Sequence, residues 1–244
     1  MLTAFSNTPA RERIIVALDC GKDEALALAD KLAGHAVWMK VGMTLYYAHG
    51  PEVVRALKEK GFKVFLDLKL HDIPHQVKGA AKAVANSGAD MMTMHTFGGV
   101  AMMQAAQEGV SLSASERGAS PIVTLGVTVL TSMDDETLAG LGVGRSAADQ
   151  VKALAEKAKE AQISGVVASP QEAAVLRGIL GPDAYIVTPG VRPAGAALGD
   201  QSRVATPAKA FADGASHIVV GRPITQAEDP VAAFEAIVDE IQES

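Results

Sequence analysis

Short apolar runs rich in β-branched residues recur along the chain: "IIVAL", "AVWMKV", "KVFLDL", "DMMTMH", "PIVTLGV", "GVVAS", "AYIVT" and "HIVVG". They are continuous rather than alternating, the pattern of strands covered on both faces. Between them lie alanine-rich stretches with helical spacing, among them "DEALALADKLAG", "PEVVRALKEKG", "QVKGAAKAVANSG", "AADQVKALAEKAKEAQ" and "PVAAFEAIVDEIQE". Strands that alternate with helices predict a parallel sheet of βαβ units. Gly34, Gly61, Gly88 and Gly214 stand where a helix gives way to the next strand, a C-terminal stop signal. "NSGADMMTM" and "ADGASHIVV" repeat one helix-to-strand turn.

Eight such units in 244 residues predict an α/β fold, a (β/α)8 TIM barrel built as a single domain over residues 1–244. No GxGxxG follows the first strand, so the fingerprint of a doubly wound dinucleotide fold is missing. No linker rich in Pro, Ser or charge divides the chain. "RPAGAALGDQS" reads as a mobile loop between the seventh strand and its helix.

Composition narrows the partners. The chain is 48% hydrophobic and 20% charged, enough apolar surface for a large core. Its net charge is −6 with a pI near 5.5, and no basic tract occurs, which disfavours nucleic acid. A small anionic ligand still fits, because the field in a cleft can oppose the global sign. Cys20 is the one cysteine, so no internal disulfide forms, as suits a reducing cytosol. No run approaches the roughly 18 apolar residues of a membrane span, and the start lacks a signal-peptide core. A soluble cytoplasmic protein with no membrane partner is expected.

Chemistry gathers where strands end, the face on which such barrels carry their sites. The ends read Asp19, Lys40, Asp67 with Lys69, His95, Thr131, Ser169, Thr188 with Pro189, and Gly221 with Arg222. The densest stretch is "VFLDLKLHDIPHQV". A strand has period two, so Asp67 and Lys69 share one side while Leu66, Leu68 and Leu70 face the helices. Isolated charges inside a barrel mouth are costly. These must compensate each other, Lys40 on the neighbouring strand, or a ligand. Asp72 falls in the following loop. Alternating signs keep the lysines protonated and the aspartates ionised. A buried network of this kind is a weak source of stability, which favours a functional reading.

The D-x-K-x-x-D spacing in "DLKLHDIP" resembles the signature of the orotidine 5′-monophosphate decarboxylase family. "VALD", "KVG", "VTVLTSM", "VTPGVRP" with "DQSRVATPAKA", and "VVGRPIT" resemble its first, second and fifth strands, its phosphate-closing loop and its eighth strand. The resemblance spans essentially the whole chain. It implies decarboxylation of orotidine 5′-monophosphate to UMP and CO2, the last step of de novo pyrimidine nucleotide synthesis, with no cofactor and no metal. It implies Lys40, Asp67, Lys69 and Asp72 as the catalytic charges, Lys69 donating a proton to C6. It places Asp19 at the ribose, Thr131 and Pro189 at the pyrimidine, and Arg192, Gln201, Gly221 and Arg222 at the phosphate. It also implies a homodimer with composite sites, in which Asp72 and Ile73 serve the neighbouring subunit. Relatives carry Thr four residues after the motif's second aspartate; this chain has Gln76, whose amide also donates and accepts.

Other signals read as structure. His71 and His75 are spaced like metal ligands, but Pro74 separates them and no third ligand is evident. Met91, Met92 and Met94 read as barrel core and helix packing. Gly140, Gly142 and Gly144 read as a loop between helices. Two rival functions stand beside the first: a metal-dependent phosphosugar decarboxylase or aldolase of the same superfamily, and a non-catalytic pyrimidine-nucleotide binding protein. The metal-dependent relatives carry an acidic ligand where this chain has Lys40.

Overall fold

The computed structural model describes residues 3–193 and 205–243. Every predicted apolar run forms a strand: β1 (Ile14–Ala17), β2 (Trp38–Gly42), β3 (Lys63–Leu70), β4 (Met91–His95), β5 (Val123–Val127), β6 (Gly165–Val167), β7 (Tyr185–Thr188) and β8 (His217–Val220). Neighbours in sequence pair in parallel, and β8 returns to β1, so the sheet closes into an eight-stranded barrel.

Closure explains the unbroken apolar runs. Ile15, Trp38, Phe65, Met91, Leu125 and Val187 alternate inward and fill the barrel as one buried cluster. Their neighbours Ile14, Val16, Met39, Leu66, Met92 and Ile186 point outward and merge with the helices in a second, larger cluster. Both faces of each strand are therefore apolar.

The helix layer comprises α1 (Lys22–Leu32), α2 (Met43–His49), α3 (Glu52–Glu59), α4 (Pro74–Asn86), α5 (Gly99–Arg117), α6 (Asp135–Gly140), α7 (Ala147–Glu160), α8 (Ala173–Leu180), α9 (Pro207–Ala212), α10 (Arg222–Thr225) and α11 (Pro230–Gln242). The five quoted helical stretches correspond to α1, α3, α4, α7 and α11. Gly34, Gly61, Gly88 and Gly214 have φ of 82°, 90°, 96° and 100°. That left-handed turn is open to glycine at little cost and ends each helix before the next strand. Gly142, also left-handed at φ 81°, falls between α6 and α7 as expected of a loop.

The N-terminal ends of the strands are plugged. Phe5 packs edge-on to Tyr185, with ring centroids 4.8 Å apart, and Tyr185 stacks on His217 at 5.4 Å. The Arg13 guanidinium donates to the carbonyls of Ala215 and Ser216 at 2.8 and 2.9 Å. With these groups packed at that end, the cavity that holds Lys40, Asp67 and Lys69 lies at the C-terminal ends of the strands.

Candidate functional site

Lys40, Asp67 and Lys69 enter this open end from adjacent strands. β2 pairs with β3 so that Gly42 lies opposite Asp67, which brings Lys40 under the β3 carboxylate. Lys69 Nζ lies 3.0 Å from Asp67 Oδ1, Lys40 Nζ 3.7 Å from Asp67 Oδ2, and Lys40 Nζ 3.0 Å from Asp19 Oδ1. The charges thus alternate as Asp19, Lys40, Asp67, Lys69. Gly42 leaves room for this: a Cβ there would stand 3.3 Å from Asp19 Oδ1 and 3.4 Å from Lys40 Nζ.

Burial pushes the Asp67 carboxyl up. Lys40, Lys69 and hydrogen bonds from Lys69 and Thr93 more than reverse it, and Asp67 is held below the usual carboxylate range. The Asp67 side chain is only 14% exposed, yet it stays ionised because two ammoniums share it.

β3 does not reach this arrangement as a regular strand. Its register against β4 shifts: Leu66 faces Met92, but Leu70 faces Met94. Four steps along β3 match two along β4. Within this bulge Lys69 adopts φ 54°, a left-handed value that costs a non-glycine residue about 1 kcal/mol or more. The displaced Lys69 N–H donates to Thr93 Oγ1 at 2.9 Å, and Thr93 Oγ1 donates to Asp67 Oδ1 at 2.9 Å. The shared side of Asp67 and Lys69, expected from period two, is thus reached through a bulge, a common device next to sites.

A cavity of about 420 Å3 opens above the array. Asp19, Lys40, Asp67 and Lys69 form its charged floor. Thr131, Pro189, Arg192, Gly221 and Arg222 line it as well. Val127, Val129, Leu130 and Val167 supply an apolar wall that reading for polar residues missed; the ends of the fifth and sixth apolar runs carried the signal. A second cavity of about 440 Å3 touches the same four charged residues from the side of α2, where Met43, Thr44, Leu45 and His49 line it.

Other expected residues lie elsewhere. Asp72 is exposed and accepts from the Ile73 N–H at 2.6 Å. Ile73 is 63% exposed, and Gln76 is exposed. None of the three lines the cavity of its own chain. Gln201 and the segment before it, 194–200, lie outside the described residues. Ser169 caps the short helix that follows β6, with Glu172 closing a capping box. Thr188 alternates with inward-facing Val187 and so faces the helix layer. His95 packs against His71, ring centroids 5.5 Å apart, in a separate apolar pocket with Phe97 and Leu130. Burial, then His71 and Lys69, hold the His95 imidazole below its usual range, with Asp67 opposing. Among the described residues no cluster of His, Cys, Asp and Glu could hold a metal ion, and no helix is long and apolar enough to cross a membrane.

The sequence matches the family described as "Orotidine 5'-phosphate decarboxylase / HUMPS family" over residues 12–237. It is 50% identical over 236 residues to the orotidine 5'-phosphate decarboxylase of Moorella thermoacetica, covering 96% of this chain and 93% of that one. It is 48% identical over 233 residues to that of Alkalilimnicola ehrlichii, covering 95% and 97%. The crystal structure of orotidine 5'-phosphate decarboxylase from Lactobacillus acidophilus is similar at a TM-score of 0.84 and 41% identity, covering 94% of this chain and 99% of that one.

Proposed function

The chain belongs to the orotidine 5'-phosphate decarboxylase / HUMPS family, and from that membership we infer its reaction. It removes the C6 carboxylate of orotidine 5′-monophosphate and yields UMP and CO2, closing pyrimidine nucleotide synthesis. The observation that carries this reading is the alternating Asp19–Lys40–Asp67–Lys69 array at the floor of the open cavity.

The chemistry follows from fixed charge. The C6–carboxylate bond breaks, CO2 departs, and the electron pair remains on C6 as a carbanion that the ring does not delocalise. An ammonium already held in place stabilises that charge without reorganising. Lys69 is that ammonium; it donates its proton to C6 and regains one from solvent. Asp67 lies beside the substrate carboxylate and holds Lys69 at 3.0 Å. Repulsion between the two carboxylates eases as CO2 leaves. Lys40 neutralises Asp67 from its other oxygen and links it to Asp19, which faces the ribose. Thr131 and Pro189 bound the pyrimidine. Arg192, Gly221 and Arg222, with Gln201, take the phosphate. Its binding energy lies far from the reacting bond and can lower the barrier rather than only raise affinity.

Asp72, Ile73 and Gln76 complete the site from a second copy of the chain. Their exposure, outside the cavity of their own barrel, supports this homodimeric reading. The lone thiol, Cys20, suits work in the cytosol. Lys40 also argues against the metal-dependent rival. Its ammonium already bridges Asp19 and Asp67, the carboxylates a divalent cation would need.

Turnover of orotidine 5′-monophosphate in excess EDTA tests the reading. We expect full activity there, and a loss of at least about a thousandfold in Lys69→Ala with UMP binding kept. Mixing Lys69→Ala with Asp72→Ala is expected to restore activity, because a mixed dimer holds one intact site. An inactive wild type, or activity that returns only with Mg2+, defeats the assignment. No recovery on mixing defeats the composite site.

A further inference from the structure

The β3 bulge leaves two groups needing an anchor. The Lys69 N–H has lost its place in the ladder to β4, and Lys69 sits at φ 54°. Gln162, the other non-glycine residue at positive φ among the described residues, follows the end of α7, where such a turn is ordinary. Lys69 lies inside a strand, where it is not. The Asp67 carboxylate, for its part, must point one oxygen at Lys69 and the other at Lys40. One side chain serves both. Thr93 is fully buried on β4, and its hydroxyl touches the Lys69 N–H and Asp67 Oδ1, each at 2.9 Å.

The direction of these bonds is forced. A backbone N–H can only donate, so the hydroxyl accepts from Lys69. An ionised carboxylate can only accept, so the single hydroxyl proton goes to Asp67. The chain N–H, hydroxyl, carboxylate is polarised one way and opposes protonation of Asp67. A methyl group in place of the hydroxyl would leave the Lys69 N–H unpaired beside a strained φ. The bulge could then relax toward a regular strand and carry the ammonium with it.

We propose that Thr93 is a positioning residue for this reaction, its hydroxyl locking the Lys69 backbone and the Asp67 carboxylate into one geometry. Thr93 does not line the substrate cavity and acts only through those two residues. The proposal rests on the decarboxylase reading, so wild-type turnover is measured first. If the wild type does not turn over orotidine 5′-monophosphate, the reaction itself is misassigned and the role of Thr93 falls with it.

Given an active wild type, Thr93→Val removes the hydroxyl and keeps the branched shape. We expect kcat to fall about 10- to 100-fold, the effect of losing a hydrogen bond to a charged group. The Kd for UMP should hold, while the melting temperature falls by a few degrees because a buried N–H is left unpaired. The acid limb of the kcat profile should move to higher pH, because Asp67 loses a bond that favours its charge. Thr93→Ser, which restores the hydroxyl, should return most of the lost kcat. An unchanged kcat in Thr93→Val overturns the proposal and leaves the reaction intact. So does a loss of kcat matched by an equal loss of UMP binding, or a failure of serine to rescue. If Thr93→Val does not fold, Thr93→Cys decides: its thiol is a weak donor and acceptor, and we expect a smaller fall in kcat with UMP binding kept. An unchanged kcat there overturns the proposal as well.

Discussion

Two carboxylates and two ammoniums at the barrel mouth compensate one another, which lets Lys40 and Asp67 stay ionised although both are largely buried. The sequence already pointed to three of them, because alternating positions on β3 and the end of β2 had to meet. The family resemblance assigned Asp19 to a ribose; what the structure shows is its pairing with Lys40, which ends the array. What spacing could not convey was the bulge. A left-handed lysine and the hydroxyl that holds it leave no mark in a hydrophobic pattern. A thiol lies beside the array. Cys20 borders both cavities, and burial, with Glu24 and Asp19 nearby, pushes its thiol up to about 11. The thiolate is the reactive form. Iodoacetamide at pH 8 should therefore alkylate Cys20 about ten- to a hundredfold more slowly than a small free thiol. Asp19→Asn should speed the reaction. Mass spectrometry of timed samples measures both, and labelling at the free-thiol rate would contradict a thiol raised by burial and its acidic neighbours.

At the scale of elements, every strand was readable and one long helix was not. α5 buries Met102, Met103, Ala106, Gly109, Val110, Ser113 and Ala114, a helical stripe in spacing. It is built largely from small residues, so apolar periodicity barely registers. The reason is the close approach of α4. A Cβ at Gly109 would fall inside the van der Waals shell of the Lys78 carbonyl oxygen, and Ser113 Oγ donates to Asn86 Oδ1 at 2.6 Å. Gly109 is thus needed for proximity rather than for a turn. On the composite-site proposal this matters for activity, because α4 begins directly after Asp72 and Ile73, with Pro74 at its first position. Gly109→Ala should push the helices apart and destabilise the protein by about 1–3 kcal/mol, the usual range for overpacking. Thermal unfolding should then drop by several degrees. A melting temperature equal to wild type would mean the helices separate freely. Because α4 would move, activity in surviving protein should fall as well.

Across the whole molecule, the two barrel ends divide the work. One holds the charged floor. The other is shut by Phe5, Tyr185, Trp38 and His217; the sequence reading registered the last three only as strand beginnings and Phe5 not at all. His217 is the imidazole of this plug, with Ser216 Oγ 3.1 Å from its Nδ1. Burial, with Arg13 and Lys63 nearby, lowers its pKa to about 3. In the unfolded chain an imidazole protonates near 6.5. Between those values the unfolded chain binds a proton that the folded one refuses. The stabilising contribution is therefore complete above about pH 6.5 and declines as pH falls toward 3. The slope in that window is about 1 kcal/mol per pH unit. Asp67, held below the usual carboxylate range, destabilises in the same direction, but only once the pH nears that of ordinary carboxylates. His95, beside the charged end, is also held below its usual range and adds a loss in that window, so it is substitution rather than pH alone that isolates the plug. Urea unfolding at pH 7, 6 and 5 should show stability falling in the wild type and much less in His217→Phe, which keeps a ring in the stack but cannot take a proton. Asp67→Asn should follow the wild-type curve between pH 7 and 6, since its carboxylate is ionised there in both states. Parallel curves for wild type and His217→Phe would mean that the plug opens to water before the barrel unfolds, and the stability at that end would then have to come from the Arg13 bonds to Ala215 and Ser216 instead.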